Sequence, residues 1–311
     1  MAYPSNITAP YGFRPVNEIG GLPYAGSTRM IPIATNAGAM YFGDVVQLTT
    51  IGTVKASTMS AESTPGTPVN GTIGIFVGCE YTALPSATAP NPSGPLFGKM
   101  RSQFFPGSTY ANDAVAYVVD DPRVVLKAVM LSAGSTLSNT SSTIAYANPA
   151  FVGSNLNPVF GGSGNTATGN SAQGVCGAVV STAGSLGGVR TTSALPFRVV
   201  GVVPETAVTV QTTGTTSGSS ATVSVASSTG LVAGMQVIAQ VAATGTYVSG
   251  ASNGSYLTLT NVNGTTLTVS SAINIGSTAA NLTFIGYPEV LVTWNGNFHS
   301  YNNTTGATVA A

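Results

Sequence analysis

Along the chain, β-branched and aromatic residues gather in short runs bounded by glycine, proline, asparagine and aspartate, and the recurrence of an amphipathic helix is hard to find. The runs predict strands over 44–49, 72–77, 114–119, 124–130, 175–180, 197–203 and 290–294. Four Asn-Gly pairs, Asn70-Gly71, Asn253-Gly254, Asn263-Gly264 and Asn295-Gly296, suit two-residue hairpins, because a type I′ turn needs positive φ at both central positions. The pattern therefore predicts an all-β, mainly antiparallel fold with a sandwich-like or barrel-like core.

Composition divides this pattern. Between residues 206 and 286 there is no charged residue and no proline, although both occur on either side. Strand-like pieces within the block, at 221–226, 235–241, 256–262, 266–270 and 282–285, are spaced as a small β-sandwich or barrel needs. The flanks, 197–204 and 287–301, share the aromatic and charged character of the N-terminal part. The expected organisation is a core of residues 1–205 plus 287–311, with an inserted β-sandwich module of residues 206–286. Segments 83–94 and 161–171, rich in small and turn-forming residues, read as long loops.

Charge changes the picture further. Only 6% of the 311 residues are charged, against roughly a quarter in an average domain. Nine basic and nine acidic residues cancel, which removes the basic footprint of a protein that grips nucleic acid or an anionic membrane. So neutral a surface favours self-association or adhesion to another surface. The length supports a proper hydrophobic core without staples, and Cys79 and Cys176, far apart and without metal-ligand spacing, read as buried free thiols. The N-terminus carries neither a basic start nor an apolar stretch, and no apolar run approaches the length of a membrane span, so a soluble, unsecreted product is expected.

Candidate chemistry is sparse. His299 is the sole histidine; its alternation with Phe298, Ser300 and Tyr301 predicts an exposed strand residue rather than a general base. Residues 94–100 resemble a phosphate-binding loop with one residue too few between the glycines and Met100 where a hydroxyl should hold magnesium. Residues 183–187 fit a nucleophile elbow only if Ala183 stands in for glycine. Asp120 and Asp121 point to opposite faces of a strand, so Asp121-Pro122 reads as the turn of a hairpin joining 114–119 to 124–129, with calcium binding the lesser reading. The other acids, including Glu289, are scattered singly. No catalytic residue, cofactor or metal site is expected. The aromatics Tyr11, Phe13, Tyr24, Tyr41 and Phe42 gather near the N-terminus, where core packing and interface anchoring stand as equal readings.

Eight words of the sequence stand out together. They are Ala9-Pro10-Tyr11-Gly12-Phe13-Arg14-Pro15-Val16, Gly20-Gly21-Leu22-Pro23-Tyr24, Tyr41-Phe42-Gly43-Asp44-Val45-Val46, and Ile73-Gly74-Ile75-Phe76-Val77-Gly78-Cys79-Glu80-Tyr81-Thr82. Further ones are Ala116-Tyr117-Val118-Val119-Asp120-Asp121-Pro122, Gly164-Asn165-Thr166-Ala167-Thr168-Gly169, Phe197-Arg198-Val199-Val200-Gly201-Val202-Val203 and Tyr287-Pro288-Glu289-Val290-Leu291-Val292. Together these words resemble a family of tailed-bacteriophage head proteins, the cement or decoration proteins; the last two are similar to closing strands that follow one another closely in the family, and here the uncharged block separates them. That block resembles a small β-module repeated in phage surface and tail proteins.

The resemblance implies a β-rich homotrimer on the outer face of an icosahedral head, with the major capsid protein and copies of itself as partners, and it carries over no catalytic residue. Pro10 and Pro15 bracket a stretch unsuited to a helix, so Tyr11, Phe13, Arg14 and Pro15 are expected in an extended N-terminal arm that docks on a neighbour. The uncharged module is expected to project outward and to make weak contact with host-surface glycans. Rival readings are a tail fibre or receptor-binding adhesin, a polysaccharide hydrolase with two converging acids, and the major capsid subunit itself.

Overall fold

The computed structural model describes residues 11–57, 71–82, 99–107, 113–131, 152–159, 169, 174–181, 195–203, 206, 209–231, 233, 235–240, 247–248, 259–285 and 289–301. The fold is all-β, as the runs of β-branched residues predict. In the first part the strands are β1 (Arg14–Glu18), β2 (Arg29–Pro32), β3 (Met40–Tyr41), β4 (Val45–Leu48), β5 (Val54–Ala56), β6 (Thr72–Tyr81), β7 (Met100–Ser102), β8 (Phe104–Phe105), β9 (Val115–Val119), β10 (Val124–Leu131), β11 (Asn155–Val159), β12 (Val179–Ser181) and β13 (Phe197–Val203). Next come β14 (Thr209–Thr215), β15 (Ser220–Val225), β16 (Gln236–Gln240), β17 (Tyr247–Val248), β18 (Leu259–Asn263), β19 (Thr266–Ile273) and β20 (Ala280–Ile285), before the closing β21 (Glu289–Trp294).

The pairings form rings. In one sheet β10 pairs with β12, β12 with β11, β11 with β13, β13 with β21, and β21 returns to β10, so these five strands close on themselves; β1 adds to the free part of the β10 edge. Only the β10–β12 contact is parallel. A second sheet runs β2-β9-β6-β4-β5, and its ends meet where Ile33 bridges Val54 and the Ala34 amide donates to the Val54 carbonyl at 2.9 Å. Closure removes open edges, the standing liability of small sheets.

The two rings share a wall, which explains the most apolar stretch of the sequence. Side chains alternate along a strand. Accordingly Val46, Phe76 and Val118 enter one core, with Ile31, Val54, Ile73, Phe105 and Ala116, while their neighbours Val45, Ile75 and Val119 enter the other. A strand buried on both faces needs a continuous apolar run, and β6 supplies Ile73-Gly74-Ile75-Phe76-Val77. The approach is close enough that a Cβ on Gly74 would lie 2.0 Å from the Val119 carbonyl oxygen. In the core that takes Val45, Ile75 and Val119, Phe13 stacks on Phe197 at 4.5 Å between ring centroids, and Phe197 packs on Trp294 at 4.7 Å.

Residues 209–285 make a sheet of their own, ordered β17-β16-β20-β14-β15-β19-β18. Val223, Val237, Leu259, Leu267, Ile273, Leu282 and Phe284 come from strands across the whole sheet yet bury into one cluster, so the sheet curls until its halves face each other, sandwich-like. The curl brings its ends together: the Leu259 amide of β18 donates at 2.7 Å to the carbonyl of Met235, the residue before β16. The chain enters this sheet from β13 and leaves it into β21, and those two strands are paired neighbours in the first sheet.

Three turn expectations need correction. The Asp120-Asp121-Pro122 turn does not close a hairpin, because β9 pairs with β2 and β6 while β10 pairs with β1, β12 and β21; the turn carries the chain from one ring to the other. At 263–264, Asn263 pairs with Thr266, so the two-residue loop is Gly264-Thr265, with Gly264 at φ +56° in the first central position. Asn295-Gly296 leads into a 3-10 turn over Gly296–Phe298 instead of a hairpin. Asn70 and the pair Asn253-Gly254 lie outside the described residues, as do 83–98, 160–168 and 183–187.

Candidate functional site

Glu289 joins three distant parts of the chain: the start of the described residues, β10 and the end of β13. It opens β21 at the point where the chain returns from the 209–285 sheet, and it is buried. The Tyr11 hydroxyl donates to its carboxylate, and the Lys127 ammonium on β10 lies 3.1 Å from the same oxygen. Its backbone amide donates at 2.7 Å to the Thr206 hydroxyl, which itself donates to the Val203 carbonyl at 2.8 Å. Both legs of the 209–285 sheet are therefore fixed at one polar node, to the start of the described chain on one side and to β10 on the other.

The node is a buried charge that has found its partners, as burial of a carboxylate demands. The Arg14 guanidinium lies over the Tyr11 ring, 4.5 Å from its centroid, and Lys127 approaches the same ring at 5.8 Å, so the phenol is held between cations and an anion. Burial first, and then the bond to Glu289, push the Tyr11 hydroxyl well above its ordinary range, so it stays a proton donor at every physiological pH.

This geometry revises the expected N-terminal arm. Phe13 has no exposed surface and stacks on Phe197 of its own chain; Tyr11 is buried in the node. Both are core residues because their large rings find a partner within the fold, and neither is free to anchor on a neighbour. Arg14 is exposed and Pro15 half-buried on β1, which pairs with β10 from Arg14↔Lys127 to Glu18↔Val124. Residues 1–10 lie outside the described residues.

A second polar cluster surrounds the turn between the two rings. Asp120 accepts from the Tyr301 hydroxyl at 2.7 Å and pairs with Arg29 at 3.2 Å, while Arg29 also bonds to the Tyr301 hydroxyl and lies over its ring. Asp121 accepts the Arg123 amide at 2.8 Å, the local bond expected of an aspartate in a turn. The two acids thus serve different structural ends.

His299 beside this cluster is also corrected: it is fully buried, after the 3-10 turn, and not exposed on a strand. Its ring meets Trp294 and Tyr301 edge-on at 5.5 and 5.1 Å, and Nδ1 accepts the Tyr301 amide. Among the described residues its Nε2 finds no hydrogen-bond partner, and neither does Nε1 of Trp294. Burial lowers the imidazole pKa below its usual value, and the Ile73 backbone and the charges of Asp120 and Asp121 only partly offset this.

Elsewhere the chemistry is quiet. Cys79 and Cys176 are buried and form no disulfide; burial raises the Cys79 thiol to about 12, and burial, with Asp44 beside it, raises the Cys176 thiol well above its ordinary value, so both stay protonated and inert toward electrophiles. Among the described residues no group of three histidine, cysteine or acidic side chains could hold a metal. Lys99, from the loop that resembled a phosphate site, pairs loosely with Glu80 at 3.7 Å. No helix of the described chain is long and apolar enough to cross a membrane. Sequence reasoning missed Glu289 and Lys127 as partners because Glu289 lies 278 residues from Tyr11, and no local spacing records such a contact.

Comparison with known proteins finds no protein-family model, no curated protein and no solved structure that matches this chain.

Proposed function

We propose that the chain is a cement protein of a tailed-bacteriophage head, a homotrimer on the outer surface of the capsid that bridges neighbouring copies of the major capsid protein. The observation that carries the reading is the scarcity of charge, 6% of residues with a net of zero, in a chain whose sequence words resemble that family. A surface of this kind works through fit and burial, gaining about 25 cal/mol for each Å² of apolar area removed from water. Exposed Ile19, Leu22 and Met30 are apolar groups of the kind such contacts use. Three copies joined in a trimer multiply a modest single contact, because binding of one presents the others at high effective concentration.

In this reading residues 206–286 form the outward module and do not touch the capsid. Purified chain lacking 206–286, with a short Gly-Ser linker between the legs, is expected to occupy heads as the whole chain does; loss of occupancy would reject the division of labour. Of the residues expected in a docking arm, exposed Arg14 is the one to test: Arg14→Ala is expected to lower head occupancy, and unchanged occupancy would remove it from the contact.

The second reading is a tail adhesin, favoured by the hydroxyl-rich, uncharged module. Gold labelling of virions separates the two: label over the head supports cement, and label confined to the tail supports the adhesin.

A further inference from the structure

Four asparagines in the chain precede glycine, the pairing in which the next backbone nitrogen is least hindered in attacking the side-chain amide. Two of the four pairs are described throughout, and the fold treats them in opposite ways. Asn295 is buried, its side-chain amide donates to the Leu195 carbonyl at 2.8 Å, and its backbone amide donates to the Pro196 carbonyl at 2.8 Å. Asn263 is exposed at the tip of the β18–β19 hairpin, the last paired residue before the loop. Gly264, which follows it, lies in open space: a Cβ built there would meet nothing within 4 Å. Its positive φ of +56° marks a tight turn, tied to the neighbouring strand β15 through the Thr265 carbonyl, which accepts the Val225 amide at 2.9 Å.

We infer that Asn263 is a site of spontaneous deamidation, and that the reaction places a negative charge in a module that otherwise has none. The Gly264 nitrogen attacks Cγ of Asn263, the side-chain nitrogen leaves as ammonia, and a five-membered succinimide forms. Water then opens the ring at either carbonyl to give aspartate or isoaspartate; the balance is one water in and one ammonia out, with no oxidant or cofactor. The structural requirement is a local opening at an exposed tip, against the Asn263↔Thr266 pairing and the Val225–Thr265 bond, and such openings cost far less than unfolding the core. Asn295 faces the same chemistry but must first break a buried hydrogen bond.

The product matters because of where it lies. Residues 206–286 hold no ionisable acid or base other than tyrosine, so one carboxylate at an exposed tip changes the field of the whole module. The isoaspartate product also adds a backbone carbon between Asn263 and Gly264, and so disturbs the Asn263↔Thr266 pairing that ends the ladder.

The test uses the full chain, held folded at mildly alkaline pH, and reads each site by mass spectrometry. Because 206–286 contains no lysine or arginine, the digestion needs a protease that cuts at apolar or aromatic residues. Conversion adds about 1 Da per event. The inference predicts conversion at Asn263 at least about tenfold ahead of Asn295 in folded protein, and comparable conversion of the two in denaturant. An Asn263→Gln variant keeps the fold and loses the early mass gain in the peptide that spans the β18–β19 tip. Folded protein in which Asn263 converts no faster than Asn295, while both convert in denaturant, would overturn it.

Discussion

The two rings of the core and the curled sheet of residues 209–285 solve the same problem with different materials. Each buries a contiguous apolar cluster inside a sheet whose ends meet. In the core, distant pieces of chain must find each other: β1 pairs with β10, and β10 with β21. All four ion pairs among the described residues lie there, including the one between half-buried Lys127 and buried Glu289. The sheet of 209–285 assembles partly from local hairpins, such as β18–β19 and β14–β15, and does without charge. Charge in this protein is thus confined to the core, while the 209–285 sheet holds together through backbone pairing, hydroxyls and apolar burial.

Core truncations break the comparison most severely. Phe13→Ala is expected to cost about 3–5 kcal/mol, and Phe284→Ala in the other cluster a similar amount. If the two regions are independent units, calorimetry of the first variant lowers only the core transition and that of the second only the module transition. A joint shift in both variants would show one cooperative unit. Next in size, Glu289→Ala removes the buried acceptor of Tyr11 and the partner of half-buried Lys127, at about 1–3 kcal/mol to the core transition.

The pH response separates the regions more gently. His299 has a folded pKa below its unfolded value, so between the two the unfolded chain binds more protons and stability falls as pH drops below about 6.5. The loss is expected in the core transition alone, and a His299→Phe variant flattens it; urea midpoints from pH 7.5 to 4.5 measure both. Smallest of all, Arg101→Ala removes an exposed partner of Glu80 and leaves the urea midpoint unmoved.

Much of this architecture is written locally. The β-branched runs at 45–48, 115–119, 124–131, 197–203 and 289–294 announce their strands, and the missing charges mark residues 206–286. What escaped detection had no local mark. β14, Thr-Val-Gln-Thr-Thr-Gly-Thr, has a single apolar side chain and is a strand because β20 pairs along its length. β11 contains Pro158, which argues against a strand from sequence alone. β1 reads as a free arm until Phe197 is seen across from Phe13. His299 looks exposed because its alternation is polar, yet Ser300 docks on the Thr72 carbonyl through both its amide, at 2.8 Å, and its hydroxyl, at 2.7 Å. Such partners, hundreds of residues away, are set by the fold and carry no signature in the neighbouring sequence.

The most direct measurement is co-sedimentation of the purified chain with phage heads stripped of their outer proteins, across a range of salt concentrations. A cement protein acting through neutral, buried surface should bind to saturation with affinity that barely changes with salt. Failure to bind heads, or binding that disappears as salt is raised, would contradict the account.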